Sequence, residues 1–368
     1  MYFSHLFVSL QAKSTRMKRL LLIFCTLYLC CAAFGQRVIV VKAGDVSSLL
    51  EAIDEVNKTN ADRQSERTFV LIPNGYYDLG ERVLTCVRAH NVAFVGQDRY
   101  QTIIRNAPPR ENEGIGKTAV LQNRGIGNYY QDLSLVNDLD YYSENDDGRA
   151  VTLHDKGDRT ICNRVRMLSH QDTYYTDNVG CQHYLKETEI HGTVDFICGT
   201  GDVWFERCLL VTMKRSDDGS GRDVIAAPRT AKGQWGFVMN RCTVKNYVSS
   251  FQYARGWHTT PRNMWLHTTL LTPEKLMPTR FDPKPIRGVN IHFLEYGTMD
   301  AQGHDITPKS NMVTYSSKGE ERSEETIATA DEAKRYTLKN VFPDWQPEKT
   351  LCQLEKKAKK LKKQYGLQ

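Results

Sequence analysis

A chain of 368 residues with 40% hydrophobic and 25% charged residues has the composition of a globular protein, large enough for one big domain or two. Its formal charge of +6 does not describe the body: Lys13, Arg16, Lys18 and Arg19 stand among the first 35 residues without an acid, which leaves +2. Lys356, Lys357, Lys359, Lys360, Lys362 and Lys363 account for six more positive charges, so the part between carries −4, which argues against a surface made for nucleic acid.

Met17-Lys18-Arg19, the apolar run Leu20 to Leu29 and the small residues around Ala33-Phe34-Gly35 read as a secretory signal peptide over residues 1–35, with Met17 as the true start. The run is too short to span a bilayer comfortably, so an exported protein without a membrane span is expected. Cys25, Cys30 and Cys31 leave with this segment. Cys86, Cys162, Cys181, Cys198, Cys208, Cys242 and Cys352 remain, an odd number without zinc-ribbon spacing. Buried thiols are expected rather than a disulfide framework.

Val38 to Val41 is a β-branched run. Ser47 to Asn57 has helical spacing, and Thr68 to Ile72 is strand-like, ending at the turn signal Pro73-Asn74-Gly75. From about residue 90 a ragged repeat follows, in seven-residue windows that begin at Ile161, Tyr184, Trp204, Val238 and Met264. Each reads as one short alternating strand with a small or β-branched residue at its fifth place: Val165, Thr188, Cys208, Cys242 and Thr268. Repeats of this length indicate a solenoid with small residues stacked in register, although a β-sandwich also has many short strands. The lysine-rich residues 351–368 read as a basic tail, the solvated end of a helix.

Two motifs carry chemistry, Gln171-Asp172-Thr173-Tyr174-Tyr175 and Gly192-Thr193-Val194-Asp195-Phe196-Ile197-Cys198-Gly199, followed by Arg255-Gly256-Trp257. In a β-helix each coil advances the chain by about 4.8 Å. The 23 residues between Asp172 and Asp195 are then one coil, and Arg149, 22 residues before Gln171, lies one coil earlier on the same face. Taken singly, each residue is more simply a turn aspartate, a solvent-facing arginine or a core tryptophan. Together they form a hydrolytic set with neither a catalytic serine nor a metal. Gly-x-Ser-x-Gly and His-Glu-x-x-His are both absent. His154, His170, His183 and His191 read as groove or turn residues, and Asp146-Asp147 and Asp217-Asp218 as loop turns.

These motifs resemble the pectin methylesterase (pectinesterase) family over roughly residues 38–345. The resemblance implies an all-β, right-handed single-stranded parallel β-helix with an N-terminal capping helix, as one domain over residues 36–350. Phe293 to Tyr296 and Asp331 to Leu338 look like that family's last strand and closing helix. It further implies hydrolysis of galacturonate methyl esters in pectin, without a cofactor or metal. Asp195 would be the nucleophile and Asp172 the general acid and base. Gln171 and Arg149 would be oxyanion donors, and Arg255 the partner that orients Asp195. Trp257, Tyr175, Phe196 and Val194 would contact the sugar, with Phe196 packing below Asp195. The sequence departs from the family where Arg149 replaces a glutamine, Cys198 a phenylalanine and Tyr174 a leucine. Arg149 could instead pair with Asp172 and hold it ionised. The alternatives are therefore a catalytically impaired β-helix that binds acidic polysaccharide, or an esterase for a non-pectic ester. The expected partner is methylesterified pectin, either homogalacturonan or a branched region. A bacterial, exported monomer is expected.

Overall fold

The computed structural model describes residues 37–142, 148–215, 222–258, 260–284 and 291–368. The signal-peptide reading, Asp146-Asp147 and Asp217-Asp218 lie outside these residues.

Residues 38–368 form one unit built on a right-handed parallel β-helix. The chain passes in turn through a ten-stranded, a nine-stranded and a seven-stranded parallel sheet, called here the first, second and third. One coil runs through Gln182–Lys186, Glu189–Gly192 and Ile197–Gly199, and the next begins at Asp202–Glu206. Each strand pairs with its counterpart one coil away, as Tyr184 does with Ile161 and Trp204.

Each seven-residue repeat proves to be two strands and not one. Between the first and second sheets the chain bends at a single left-handed residue. These residues are Asp132, Arg164, Glu187, Arg207, Arg241 and His267, with φ between 49° and 54°. Such a conformation costs about 1–2 kcal/mol in a residue bearing a Cβ. Here it recurs because the corner N–H groups donate to the next coil, Arg164 to the Lys186 carbonyl (2.9 Å) and Arg207 to that of Asn240 (2.9 Å). The residue after each corner points inward. Val165, Thr188, Cys208, Cys242 and Thr268 fill those places and are fully buried. The Cys208 thiol donates to the Leu185 carbonyl and the Cys242 thiol to that of Phe205, each at 3.5 Å. The seven cysteines of residues 37–368 are all unpaired.

Both ends of the solenoid are covered. A helix, Val46–Thr59, is capped by the Asp45 carboxylate, which accepts from the Ser47 and Ser48 N–H groups. It lays Leu49, Ala52, Ile53 and Val56 on the core at one end. At the other end an antiparallel hairpin, Met312–Ser317 with Glu320–Glu325, inserts Val313 and Tyr315.

The C-terminal segment differs from the expected tail. Pro347–Gln364 is an 18-residue helix whose Leu351, Leu354, Ala358 and Leu361 are buried against Tyr129, Ile161, Tyr184 and Trp204 on the outer face of the first sheet. Lys362 reaches Asp132 at 2.7 Å, and Arg164 pairs with Glu355. Lys356, Lys359, Lys360 and Lys363 sit on the exposed side of a packed helix, and Lys357 and Lys362 are half-buried. The closing helix expected over 331–338 is two short turns, Ala330–Ala333 and Leu338–Val341.

Candidate active site

On the third-sheet side, Tyr174 pairs with Ile197 and Arg149 forms a parallel bridge with Gln171. Asp172 and Asp195 therefore fall on adjacent coils at equivalent places. Both are left-handed, with φ of 60° and 53°. Strained backbone of this kind concentrates at functional sites, where surrounding structure must hold it. The Asp195 N–H donates to the Val224 carbonyl (2.7 Å), and Thr173 Oγ1 ties the preceding turn to the His191 carbonyl (2.7 Å). Gly192 is required where the two motifs meet, since a Cβ there would lie 2.1 Å from Phe196 Cβ and 2.5 Å from the His170 carbonyl oxygen.

The left-handed residue also resets the alternation of the strand. Asp195 lines the cleft, while Phe196 and Ile197 both enter the core and Cys198 returns to the cleft. The cleft has a volume of about 330 Å3, and its polar lining is Arg149, Gln171, Asp172, Asp195 and Arg255. Cys198, Trp257, Ile115 and Ala227 supply the rest.

Arg255 holds Asp195 with a two-pronged fork. Its Nε donates to Asp195 Oδ1 at 2.8 Å and a terminal nitrogen donates to Oδ2. Burial raises the Asp195 carboxyl above the usual carboxylate range, and Arg255 opposes that rise. Burial and then the neighbouring charge of Asp195 push Asp172 well above the usual range, opposed by Arg149, a hydrogen bond with Cys198 and Arg255. The geometry thus supplies one buried carboxyl held by an arginine and a second disposed to keep its proton.

Arg149 pairs with Glu113, from Nη1 to Oε1 at 2.7 Å, and its backbone N–H donates to the same carboxylate at 3.1 Å. The ion pair weighed between Arg149 and Asp172 is not the one formed. Glu113 and the Cys198 hydrogen bond were both missed by sequence reasoning. Glu113 follows a short turn 36 residues away, with no motif to mark it.

The four expected sugar contacts separate. Trp257 lines the cleft, with the Arg229 guanidinium 5.2 Å over its ring. Tyr175 is 6% exposed and packs behind Trp257, its ring stacked on His154 at 4.6 Å. Phe196 is fully buried in the solenoid core and offers no face to the cleft, so its place is that of a support beneath Asp195. Val194 is 6% exposed and is not part of the cleft lining. The histidines are held elsewhere. His170 stacks on Tyr141 and is lowered by burial to about 4, His183 lies beside Asp155, and His191 pairs with Glu189 at 2.6 Å.

A sequence model of the family described as Pectinesterase matches residues 37–339. The chain belongs to the pectinesterase family. A pectinesterase/pectinesterase inhibitor from Ficus pumila var. awkeotsang is 31% identical over 199 residues, covering 53% of this chain and 34% of that protein. A probable pectinesterase/pectinesterase inhibitor from Arabidopsis thaliana is 30% identical over 182 residues, 48% of this chain and 33% of that one. The chain thus matches about a third of the length of these relatives. Among solved structures, the pectin methylesterase from Erwinia chrysanthemi superposes with a TM-score of 0.65 at 23% identity, covering 86% of this chain and 99% of that one. The carrot pectin methylesterase gives 0.66 at 19% identity, covering 84% and 94%. At these identities the likeness concerns the fold. The C-terminal helix Pro347–Gln364 lies beyond the family match.

Proposed function

We propose that this protein is an exported esterase that removes methyl groups from galacturonate units of pectin. The observation that carries the reading is the pair Asp172 and Asp195 on adjacent coils, with Asp195 in the fork of Arg255 and both facing one cleft. Asp195 attacks the ester carbonyl carbon. The oxyanion forms beside Gln171 and Arg149, which donate to it. Asp172 gives its proton to the departing methoxide, so methanol leaves and an acyl-enzyme remains on Asp195. Asp172, now ionised, takes a proton from water as that water attacks the same carbon, which releases the free galacturonate and restores both aspartates. Trp257 forms one wall for the sugar ring, with Tyr175 behind it, and Phe196 supports Asp195 from the core.

The pairing of Arg149 with Glu113 favours this reading over a disabled site. A neutralised arginine perturbs Asp172 less than burial and Asp195 do, in keeping with the direction of the Asp172 shift. The test is methanol release from highly methylated pectin by the chain from Gln36 onward, with Asp195→Asn as control. Release that disappears in the variant supports the assignment. Absence of release from homogalacturonan and from branched pectin would overturn it, and turnover confined to small acyl esters would point to a non-pectic substrate.

A further inference from the structure

The register of the third sheet carries a second carboxylate to Arg255. Cys198 pairs with Ala227, and Ala226 pairs with Ala254, which brings Arg255 into the place of Ala227 one coil on. The following coil arrives at Asp282, whose N–H donates to the Ala254 carbonyl at 2.9 Å. In a parallel ladder that bond sets Asp282 opposite Arg255. One row therefore reads Cys198, Ala227, Arg255 and Asp282, with neighbours about 4.8 Å apart. Phe281 is fully buried and stacks on Phe293 at 5.4 Å inside the solenoid, and strand alternation turns the next residue, Asp282, outward with Arg255.

Arg255 thus stands between two carboxylates. Asp195 belongs to the coil of Cys198, two coils back, and Arg255 reaches it across Ala227, whose small side chain leaves the way open. Asp282 lies on the other flank. It is 2% exposed, and its Oδ1 accepts from the Lys284 N–H at 2.9 Å, which fixes the side chain at a turn. The fork to Asp195 uses two of the five guanidinium N–H groups, so it does not saturate the cation. Burial opposes the Arg255 charge, while Asp195 and then Asp282 and Asp172 strengthen it. At Asp195 burial drives the upward shift, Arg255 opposes it, Asp282 adds to it and Arg215 works against it. Asp172 and Cys198 are the remaining titratable groups that face Asp195.

We propose that Asp282 is a positioning residue that acts through Arg255, dividing the arginine's field between two carboxylates so that Asp195 stays a better nucleophile than an undivided fork would leave it. This rests on the pectin reading above, in which Asp195 attacks the ester, and concerns the same site. An arginine bound to a nucleophile has two opposed effects. It keeps the carboxylate ionised and aimed inside a buried cleft, and it also makes the oxygen less ready to share an electron pair with a carbonyl carbon. A carboxylate on the far flank of the guanidinium relieves part of that stabilisation without disturbing the aim of the fork. Repulsion between Asp282 and Asp195 works in the same direction. A neutral residue at 282 would leave the whole charge of Arg255 on Asp195.

The experiment follows the ionisation of Asp195 in the full chain by carbon NMR with isotopically labelled aspartate, in the parent and in Asp282→Asn. The Asp195 signal is assigned from the spectrum of Asp195→Asn. Methanol release from methylated pectin is measured across pH in the parent and Asp282→Asn. Asparagine keeps the size of the side chain and an oxygen for the Lys284 N–H, so the charge alone is removed. Asp195 is expected to titrate roughly half a unit to one unit lower in Asp282→Asn. The acidic limb of kcat/KM moves with it, so the variant is roughly twofold to fivefold more active than the parent below the limb and less active on the plateau. A residue needed only for packing would lower activity at every pH and leave the titration where it was. Asp282→Ser removes the same charge with a smaller side chain and is expected to give the same shift, so if one variant does not fold the other decides. A titration of Asp195 that stays in place or moves up, or a plateau that does not fall, overturns the proposal. The titration needs no turnover: a downward shift upholds the division of the Arg255 field even if no methanol is released, which would reject the pectin reading instead. Methanol release with an unmoved titration rejects the role of Asp282 alone.

Discussion

Replacing Arg255 by lysine tests the assignment of Asp195 most directly. The Arg255 fork makes two charge-assisted hydrogen bonds to a carboxylate whose side chain is only 6% exposed. Lysine keeps the charge but not the planar fork, so one of the two bonds is lost. A hydrogen bond to a charged group is worth about 1.5–3 kcal/mol. If that loss falls on the ionised form of Asp195, its pKa rises by roughly one to two units, at 1.36 kcal/mol per unit. Asp195 reacts as the carboxylate, so the loss appears on the acidic side. Below the new pKa, kcat/KM is expected to fall by roughly 10- to 100-fold, and the gap should narrow as the pH rises. The assay is methanol release across pH for Arg255→Lys and the parent. An acidic limb that stays in place, or a loss of the same size at every pH, would refute the view that Arg255 acts by holding the Asp195 charge.

Three other outcomes follow from the same geometry. Cys198→Ala removes the hydrogen bond that opposes the upward shift of Asp172, so the alkaline limb of the pH–rate profile should move up by roughly half a unit to one unit, with little change at its maximum. Gly192→Ala places a methyl group against Phe196 and the His170 carbonyl and should destabilise the fold by at least about 2 kcal/mol, read as a lower midpoint in denaturant. Asp223 is fully buried, neither of its oxygens has a hydrogen bond among the described residues, and burial lifts it to about 8. A carboxyl raised in the folded state favours folding while protonated, and that contribution is lost as pH climbs from the unfolded value near 4 toward 8. Asp223→Asn should therefore raise Tm at pH 9 and leave it nearly unchanged at pH 3; an equal effect at both would show that ionisation is not the cause.

Much of the site was legible because a solenoid converts one coil of sequence into one step in space. The separations of 22 and 23 residues placed Arg149 beside Gln171 and Asp172 beside Asp195, as the strand pairing shows. The small fifth residues of the repeat were read as a buried stack, and they are buried. The windows around them were misread as single strands because a lone left-handed corner leaves no mark on the sequence when it is Arg164, Glu187 or Arg207 and not glycine. Of the two places expected for Phe196, at the sugar and below Asp195, the fold gives it the second. Simple alternation is broken by the left-handed Asp195, which sends two successive residues into the core.

Sequence by itself determined the coil, the two aspartates, the arginine that follows them and the tryptophan, because motif order and coil-length spacing are local properties of a repeating chain. Tertiary structure decided which charges meet. Arg149 is tied to Glu113 and not to Asp172, the Cys198 thiol finds Asp172, and the lysine-rich end becomes a helix packed on the first sheet. Those contacts join coils through loops of unequal length, or fold a terminal segment back over many coils. Partners in such contacts are set by the path of the backbone and by which surfaces remain to be buried, and no sequence interval encodes either.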